Sequence, residues 1–427
     1  MRIGFLVCWM VLSVSVLPAE NWPGWRGPRG DGTSLETGLP TTWNGQTGEN
    51  IHWKVEIPGV GHSSPAVWED RIFLASCLPD KEERILLCLD RKTGETIWQK
   101  TVVKSKLETK HQLNSHASST PATDGKIVVV AFLKIDGRTI PAPNVGKNSR
   151  LITPGDAIVA AYDLDGNKKW DANLGEFISA HGFSSNPVLF EDLVIVNGDH
   201  DGESYLFALD RETGKIRWKD KRDNGIRSYA TPIIRNSGGR LQMVLSGSES
   251  VISYDPRTGK RHWTMEGPTE QFVASMVDDG ERFFVTAGFP DHHILAINPD
   301  GTGDVTETHI AWRTTRGAAY VPSPVVSGKY LIVVSDSGIG SCFDSASGER
   351  LWMARMGGQR YNASLVAAGG LVYLPSDRGV TAVIKPGPEL EKIAENDLGE
   401  FISSSPAISQ GQIFIRGHEH LFCIGKR

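Results

Sequence analysis

One spacing recurs along this chain and constrains its fold more than any other feature: Asp-x-x-(Ser/Thr)-Gly-x-x-x-Trp. It begins at Asp90, Asp210, Asp255 and Asp344 and ends at Trp98, Trp218, Trp263 and Trp352. A shortened copy runs from Asp163 to Trp170, and a stretched one from Asn298 to Trp312. The Asp and Ser/Thr side chains can bond the backbone of a tight turn, and Gly supplies a residue with positive φ. Each copy therefore reads as a turn joining two strands. Upstream of each turn stands a second signal, a small polar residue, usually before Pro, followed by an apolar run. It starts at Ser64, Thr120, Asn186, Thr231, Ser275, Ser323, Ser364 and Ser405. Five of the repeats are spaced by about 40 to 48 residues, and two longer ones hold insertions. Eight like units of this period describe an array.

Each unit reads as four strands, here lettered A to D. A follows the small polar residue, B is the apolar run after a tight turn, C precedes the Asp turn, and D carries the Trp. Four-stranded units of this length are propeller blades, and no sustained helical period competes. The Trp is too large to bury within one thin blade and is expected to pack on the next one. The ends fit a closed ring. The eighth unit stops after its C run at 421–424, while 51–55 is an orphan strand with a Trp of its own, Trp53. Joining them completes the eighth blade and removes an open edge. The expected fold is all-β, an eight-bladed propeller of four-stranded antiparallel blades closed by an N-terminal strand.

Other classes are excluded by simple counts. The net charge is −5, whereas a general nucleic-acid binder carries a basic excess. Five cysteines in 427 residues are too few for a disulfide scaffold. Cys77 and Cys88 lie in one blade, and their pairing is left open. A short basic start at Met1-Arg2, an apolar run over 3–17 and the small Ala19 before Glu20 describe a secretory leader rather than a span. The expected organisation is a leader over 1–19, an N-terminal extension over 20–49 and the propeller over 50–427. The mature chain is expected to be secreted or periplasmic, monomeric and without a membrane span. Phosphate-loop, dinucleotide and zinc-protease motifs do not occur. His292-His293 and His418-Glu419-His420 are short pairs without a third ligand by spacing and read as polar loop residues.

The Asp-x-x-Thr-Gly-x-x-x-Trp repeats resemble those of the pyrroloquinoline-quinone-like (PQQ-like) propeller family over about residues 50–427. That family includes quinoprotein alcohol dehydrogenases and the non-enzymatic propeller of the outer-membrane barrel assembly machinery. The segment Asn21-Trp22-Pro23-Gly24-Trp25-Arg26-Gly27-Pro28 is similar to a leader found in exported propellers of planctomycete-like bacteria. The dehydrogenase branch implies PQQ, calcium, a catalytic Asp and two adjacent cysteines, and this chain has no Cys-Cys pair. No resident cofactor is therefore expected. The function expected from the resemblance is a binding or scaffold module of the cell envelope, its partner an envelope protein or a small polar ligand. A quinoprotein oxidoreductase is the alternative.

Strand alternation places the A–B and C–D turns on one face and the B–C loops and D–A connections on the other. The second face collects His62, His116, His181, Arg227, Tyr229, Arg316, Tyr320, Arg360 and Tyr361, each shortly before a strand A. Because A is innermost, these residues are expected to ring the channel mouth, where they could hold an anionic or polar ligand or a peptide. They are the candidate binding residues; no catalytic or metal-ligating residue is assigned.

Overall fold

The computed structural model describes residues 19–147, 149–357 and 360–426. The expected leader, with Cys8, lies outside the described residues except for Ala19. Eight antiparallel sheets form the expected propeller. Blade one runs outward through Ala66–Trp68, Arg71–Leu78, Glu83–Asp90 and Thr96–Lys104. Strands A of successive blades contact one another, which places them at the centre. Blade eight holds Ala407–Ser409, Gln412–Arg416 and His420–Gly425, and Ile51–Glu56 supplies its outer strand with Trp53 opposite Cys423. The ring closes as the repeat arithmetic requires.

The turn motif proves to be a joint between blades. In blade one the Asp90 carboxylate accepts from the N–H groups of Lys92 and Thr93, at 2.8 and 2.9 Å, and Gly94 has φ +77°. The Trp of the preceding blade lies against that glycine and donates its indole N–H to the carbonyl one residue after the Asp. Trp53 reaches Arg91, Trp98 reaches Leu164, Trp170 reaches Arg211, Trp218 reaches Pro256 and Trp312 reaches Ser345, at 2.8 to 3.1 Å. The residue paired with the Trp on strand C is small: Cys423, Cys88, Ala161, Ala208 and Ala296. It leaves room for the indole. Trp263 departs from the pattern and bonds Gln242 of its own blade. The stretched turn after Asn298 of blade five adds a short parallel strand, Gly303–Asp304, to the outside of strand D of blade four, with Gly303 opposite Trp263. Blade seven has no Trp on its strand D. Trp43, from the extension, packs among residues of blades seven and eight and stacks on Tyr373.

The small polar residues before strand A form a second joint. The N–H of Ser64 donates to Thr120 Oγ1, that of Thr120 to Asn186 Oδ1, and Asn186 Nδ2 to Thr231 Oγ1. Thr231, Ser275, Ser323 and Ser364 each donate an N–H to the next blade's hydroxyl, and Ser405 donates to Ser64 at 2.9 Å. The result is an unbroken belt of inter-blade hydrogen bonds around the channel. Each contributes about 1 kcal/mol, and breaking one strands a buried donor.

Residues 20–36 of the extension are a thread looped into the channel from the face of the A–B turns, not an appendage. Trp22 bridges Val67 of blade one, the Thr123 N–H donates to the Pro23 carbonyl, and Asp31 accepts from Arg235 of blade four. Thr33–Ser34 pairs in parallel with strand A of blade seven. Arg26 is buried and donates to the carbonyls of Asp31, Pro324 and Leu365. Its guanidinium has lost water, which pushes its pKa down to about 10. The cysteines are settled by register. Cys77 stands opposite Arg84 and Cys88 opposite Phe73, so they sit apart along their hairpin and both are free.

Candidate functional site

The D–A connections and B–C loops enclose a cup of about 1620 Å³ at one end of the channel. All eight connections line it, through His62, Asn114, His181, Arg227, Gln271, Tyr320, Arg360 and Ser403 among others. The thread reaches it from below: Trp25, half-buried, lines the cup and donates its indole N–H to Ser275 Oγ at 3.0 Å. The hydroxyl belt thus carries one of the cup's aromatic side chains.

Of the candidate residues, His62, His181, Arg227, Tyr229, Arg316, Tyr320 and Arg360 are brought together here. Arg227 is the most fixed. It pairs with buried Asp201 at 2.7 Å, donates Nε–H to His181 Nδ1 at 3.2 Å and bonds the Asn144 carbonyl of the blade-two insertion. Tyr229 shares a hydrogen bond with Ser179 at 3.0 Å, and Tyr320 donates to Gln271 at 3.1 Å. Burial drives both phenols above their ordinary range, Tyr320 up to about 12. The imidazoles of His62 and His181 are both held toward the neutral form. Burial, helped by Arg227, Arg150 and His111, pushes His181 down to about 3. Burial, helped by Arg416, Lys110 and His418, pushes His62 down to about 4.

His116 and Tyr361 do not join them. His116 turns onto Glu108, with Nδ1 3.3 Å from a carboxylate that also pairs with buried Arg84. Tyr361, 1% exposed, donates its hydroxyl to the Met356 carbonyl at 2.9 Å. Tyr361 thereby satisfies a buried carbonyl next to its connection, while His116 Nδ1 lies beside the Glu108 carboxylate without a hydrogen bond to it. Sequence reasoning missed Trp25, Arg150 and Asp336. Arg150 sits in the insertion, which has no counterpart in other blades. Asp336 accepts from the N–H groups of Tyr320 and Val321 and is pushed up by burial. The signal for Trp25 was the Trp22-to-Arg26 segment itself, whose place in the ring no repeat marks.

The cup's charge is uneven. Arg150, Arg316, Arg350 and Arg360 are exposed, and their side chains make no hydrogen bond or ion pair among the described residues. Glu270 and Asp336 are the acids of the lining. Leu113, Phe289 and Met353 add exposed apolar surface. Cys77, Cys88, Cys342 and Cys423 are all buried outside the cup, and no three His, Cys, Asp or Glu side chains converge as metal ligands among the described residues.

A repeat propeller with turn-to-Trp blade joints belongs to the PQQ-like class. The family model described as outer membrane protein assembly factor BamB matches residues 34–142 and 155–386, and the chain belongs to that family. No curated protein matches it. Among solved structures, BamB from Moraxella catarrhalis superposes with a TM-score of 0.59 at 13% identity, covering 88% of this chain and 97% of that one. A europium-containing methanol dehydrogenase gives 0.63 at 12%, covering 93% and 90%. The quinohemoprotein alcohol dehydrogenase ADHIIG from Pseudomonas putida HK5 gives 0.63 at 11%, covering 94% and 80%. At such identities these structures share the fold with this chain, and the fold alone.

Proposed function

We propose that the protein is a binding module of the bacterial cell envelope, and that its cup receives an acidic segment of a partner protein. The observation that carries this is the set of four unpaired arginines, Arg150, Arg316, Arg350 and Arg360, around one cavity in a chain of net charge −5. The volume exceeds the ~300–1,000 Å³ usual for small-ligand pockets. Exposed Leu113, Phe289 and Met353 suit a polypeptide better than a free ion. The envelope location rests on the family and on the leader pattern of residues 1–19.

The test uses a fluorescent Glu-rich peptide and its Gln analogue as probes. The Glu peptide is expected to bind, the Gln analogue at least tenfold more weakly. Arg316→Ala with Arg360→Ala should lower affinity about 3- to 10-fold, less at high salt. Thr213→Ala on the opposite face should leave affinity unchanged. Equal binding of both peptides, or inorganic phosphate competing at the peptide's own affinity, would sink the reading.

A further inference from the structure

Glu36 is a buried carboxylate on the thread, 6% exposed. Its oxygens accept from the backbone N–H groups of Glu20 at 2.8 Å, Gln410 at 2.6 Å and Gly411 at 2.5 Å. All three donors are neutral amides, and Glu36 forms no ion pair with a side chain among the described residues. A buried carboxylate held by neutral donors alone lacks the counter-charge that usually accompanies one. One donor differs from the others. Glu20 follows Ala19, the small exposed residue that ends the leader pattern. Hydrolysis of the Ala19–Glu20 bond adds water across the amide, leaves a carboxylate on Ala19 and turns the Glu20 nitrogen into an ammonium.

We propose that Glu36, with the Gln410–Gly411 turn of blade eight, is the receptor for the α-ammonium created when the leader is removed between Ala19 and Glu20. Processing then supplies the missing counter-charge and pins the channel thread. The rest of Glu20 is already held. Its carboxylate pairs with Arg29 at 2.7 Å and accepts from Ser34 Oγ and the Leu35 N–H, and its carbonyl accepts from Ser409 Oγ at 2.7 Å. First residues of a domain are seldom ordered unless tied down, and this one is tied at every polar group. Five residues on, Trp25 enters the cup, so the seat of the terminus also sets the cup's inner wall. This inference rests on the export part of the function proposed above, not on the ligand.

The charged groups around the amine are Glu36, the Glu20 side chain and Arg29 on the thread. Arg91 of blade one stands behind Gln410 and Gln412, and Gln410 belongs to the receptor turn. The two carboxylates raise the amine's pKa above its ordinary ~7.7–8.0. The contribution is therefore full below pH ~7.7 and is lost as pH rises through the raised value. Three measurements test it. Intact mass of the full chain expressed with export should show Glu20 as first residue. The α-amine pKa, read by pH-dependent acylation, should lie at least one unit above ordinary and return in Glu36→Gln. An uncleavable Gly-Ser ahead of Glu20 should lower Tm by about 1–2 °C, with Glu36→Gln costing less there than in the processed protein. A processed Glu20 terminus with an ordinary amine pKa, or fully additive effects, overturns the inference alone. A chain exported with residues 1–19 still attached also overturns the inference alone, whereas a chain that is not exported overturns the export reading and the inference with it.

Discussion

Gly214→Ala tests the blade joint with a single methyl group. Gly214 closes the Asp210 turn with φ +70°, and a Cβ built there would stand 2.5 Å from Cε3 and 2.7 Å from Cδ2 of Trp170. The indole cannot retreat freely. It is 8% exposed and holds the Arg211 carbonyl at 2.8 Å. The backbone cost of Ala at positive φ is about 1 kcal/mol, and forcing a methyl into a packed contact costs about 1–3 kcal/mol more. The expected total is about 2–4 kcal/mol. Gly239→Ala is the matched control, since Gly239 has φ +77° and nothing within 4 Å of its Cβ position. It should cost the backbone part alone. Urea midpoints at pH 7, read by far-UV circular dichroism, separate the two. In a Trp170→Ala background the ring is gone, and Gly214→Ala should cost no more than Gly239→Ala. Equal costs for the two glycines in the native background would refute the Trp-on-glycine joint.

Two further outcomes are expected. Because His62 and His181 are held down to about 4 and 3, the folded protein binds fewer protons than the unfolded chain between those values and ~6.5. Stability is therefore full above pH ~6.5 and falls as pH drops toward 4 and 3. The loss is at most about 1 kcal/mol per histidine between pH 6.5 and 5.5, less for His181, which is partly open to the cup. Urea midpoints at pH 7.5 and 5.5 should differ, and His62→Gln with His181→Gln should shrink that difference; a pH-independent native midpoint sinks the claim. Deleting 51–56 removes the outer strand of blade eight and the Trp53 joint to Arg91. The shortened chain should aggregate or unfold at a much lower urea concentration, and a stable monomer by light scattering would show that the ring does not need this closure.

The parts of the fold legible in the sequence are those every blade must solve alike. The Asp, Gly and Trp of the turn, the hydroxyl before strand A and the small residue opposite the Trp each recur because every pair of neighbouring blades presents the same contact. Trp53 could be matched to the eighth blade on this ground alone. The site was legible only as a face. His62, His181, Arg227, Tyr229, Tyr320 and Arg360 were placed near one another by strand direction, and the structure gathers them in one cup. Strand direction fixes which end of a blade a connection occupies but not which way its side chains turn. His116 and Tyr361 occupy equivalent connections, yet one meets Glu108 and the other the Met356 carbonyl. Asp199 shows the same limit: it sits in a loop facing the cup's end of the ring, but its carboxylate holds buried Arg222 at 2.8 Å.

The thread changes what the ring can do. A propeller channel lined only by strands A would be open at both ends, and its mouth would be set by eight similar backbones. Here residues 20–36 fill it, and the non-repeating side chains Trp25 and Arg26 meet the repeating belt at Ser275, Pro324 and Leu365. A feature outside the repeat thereby breaks the ring's eightfold sameness on the side where the cup lies. The insertion does the same from outside, by laying Asn144 over Arg227 and Arg150 beside His181. Specificity in such a fold belongs to the segments that interrupt the period, because a ligand inside an evenly lined mouth has eight equivalent ways to sit. Of the arginines that would orient an acidic segment, Arg316 and Arg360 sit in equivalent connections, and it is Arg150, from the blade-two insertion, that has no counterpart in the repeat and makes the set uneven.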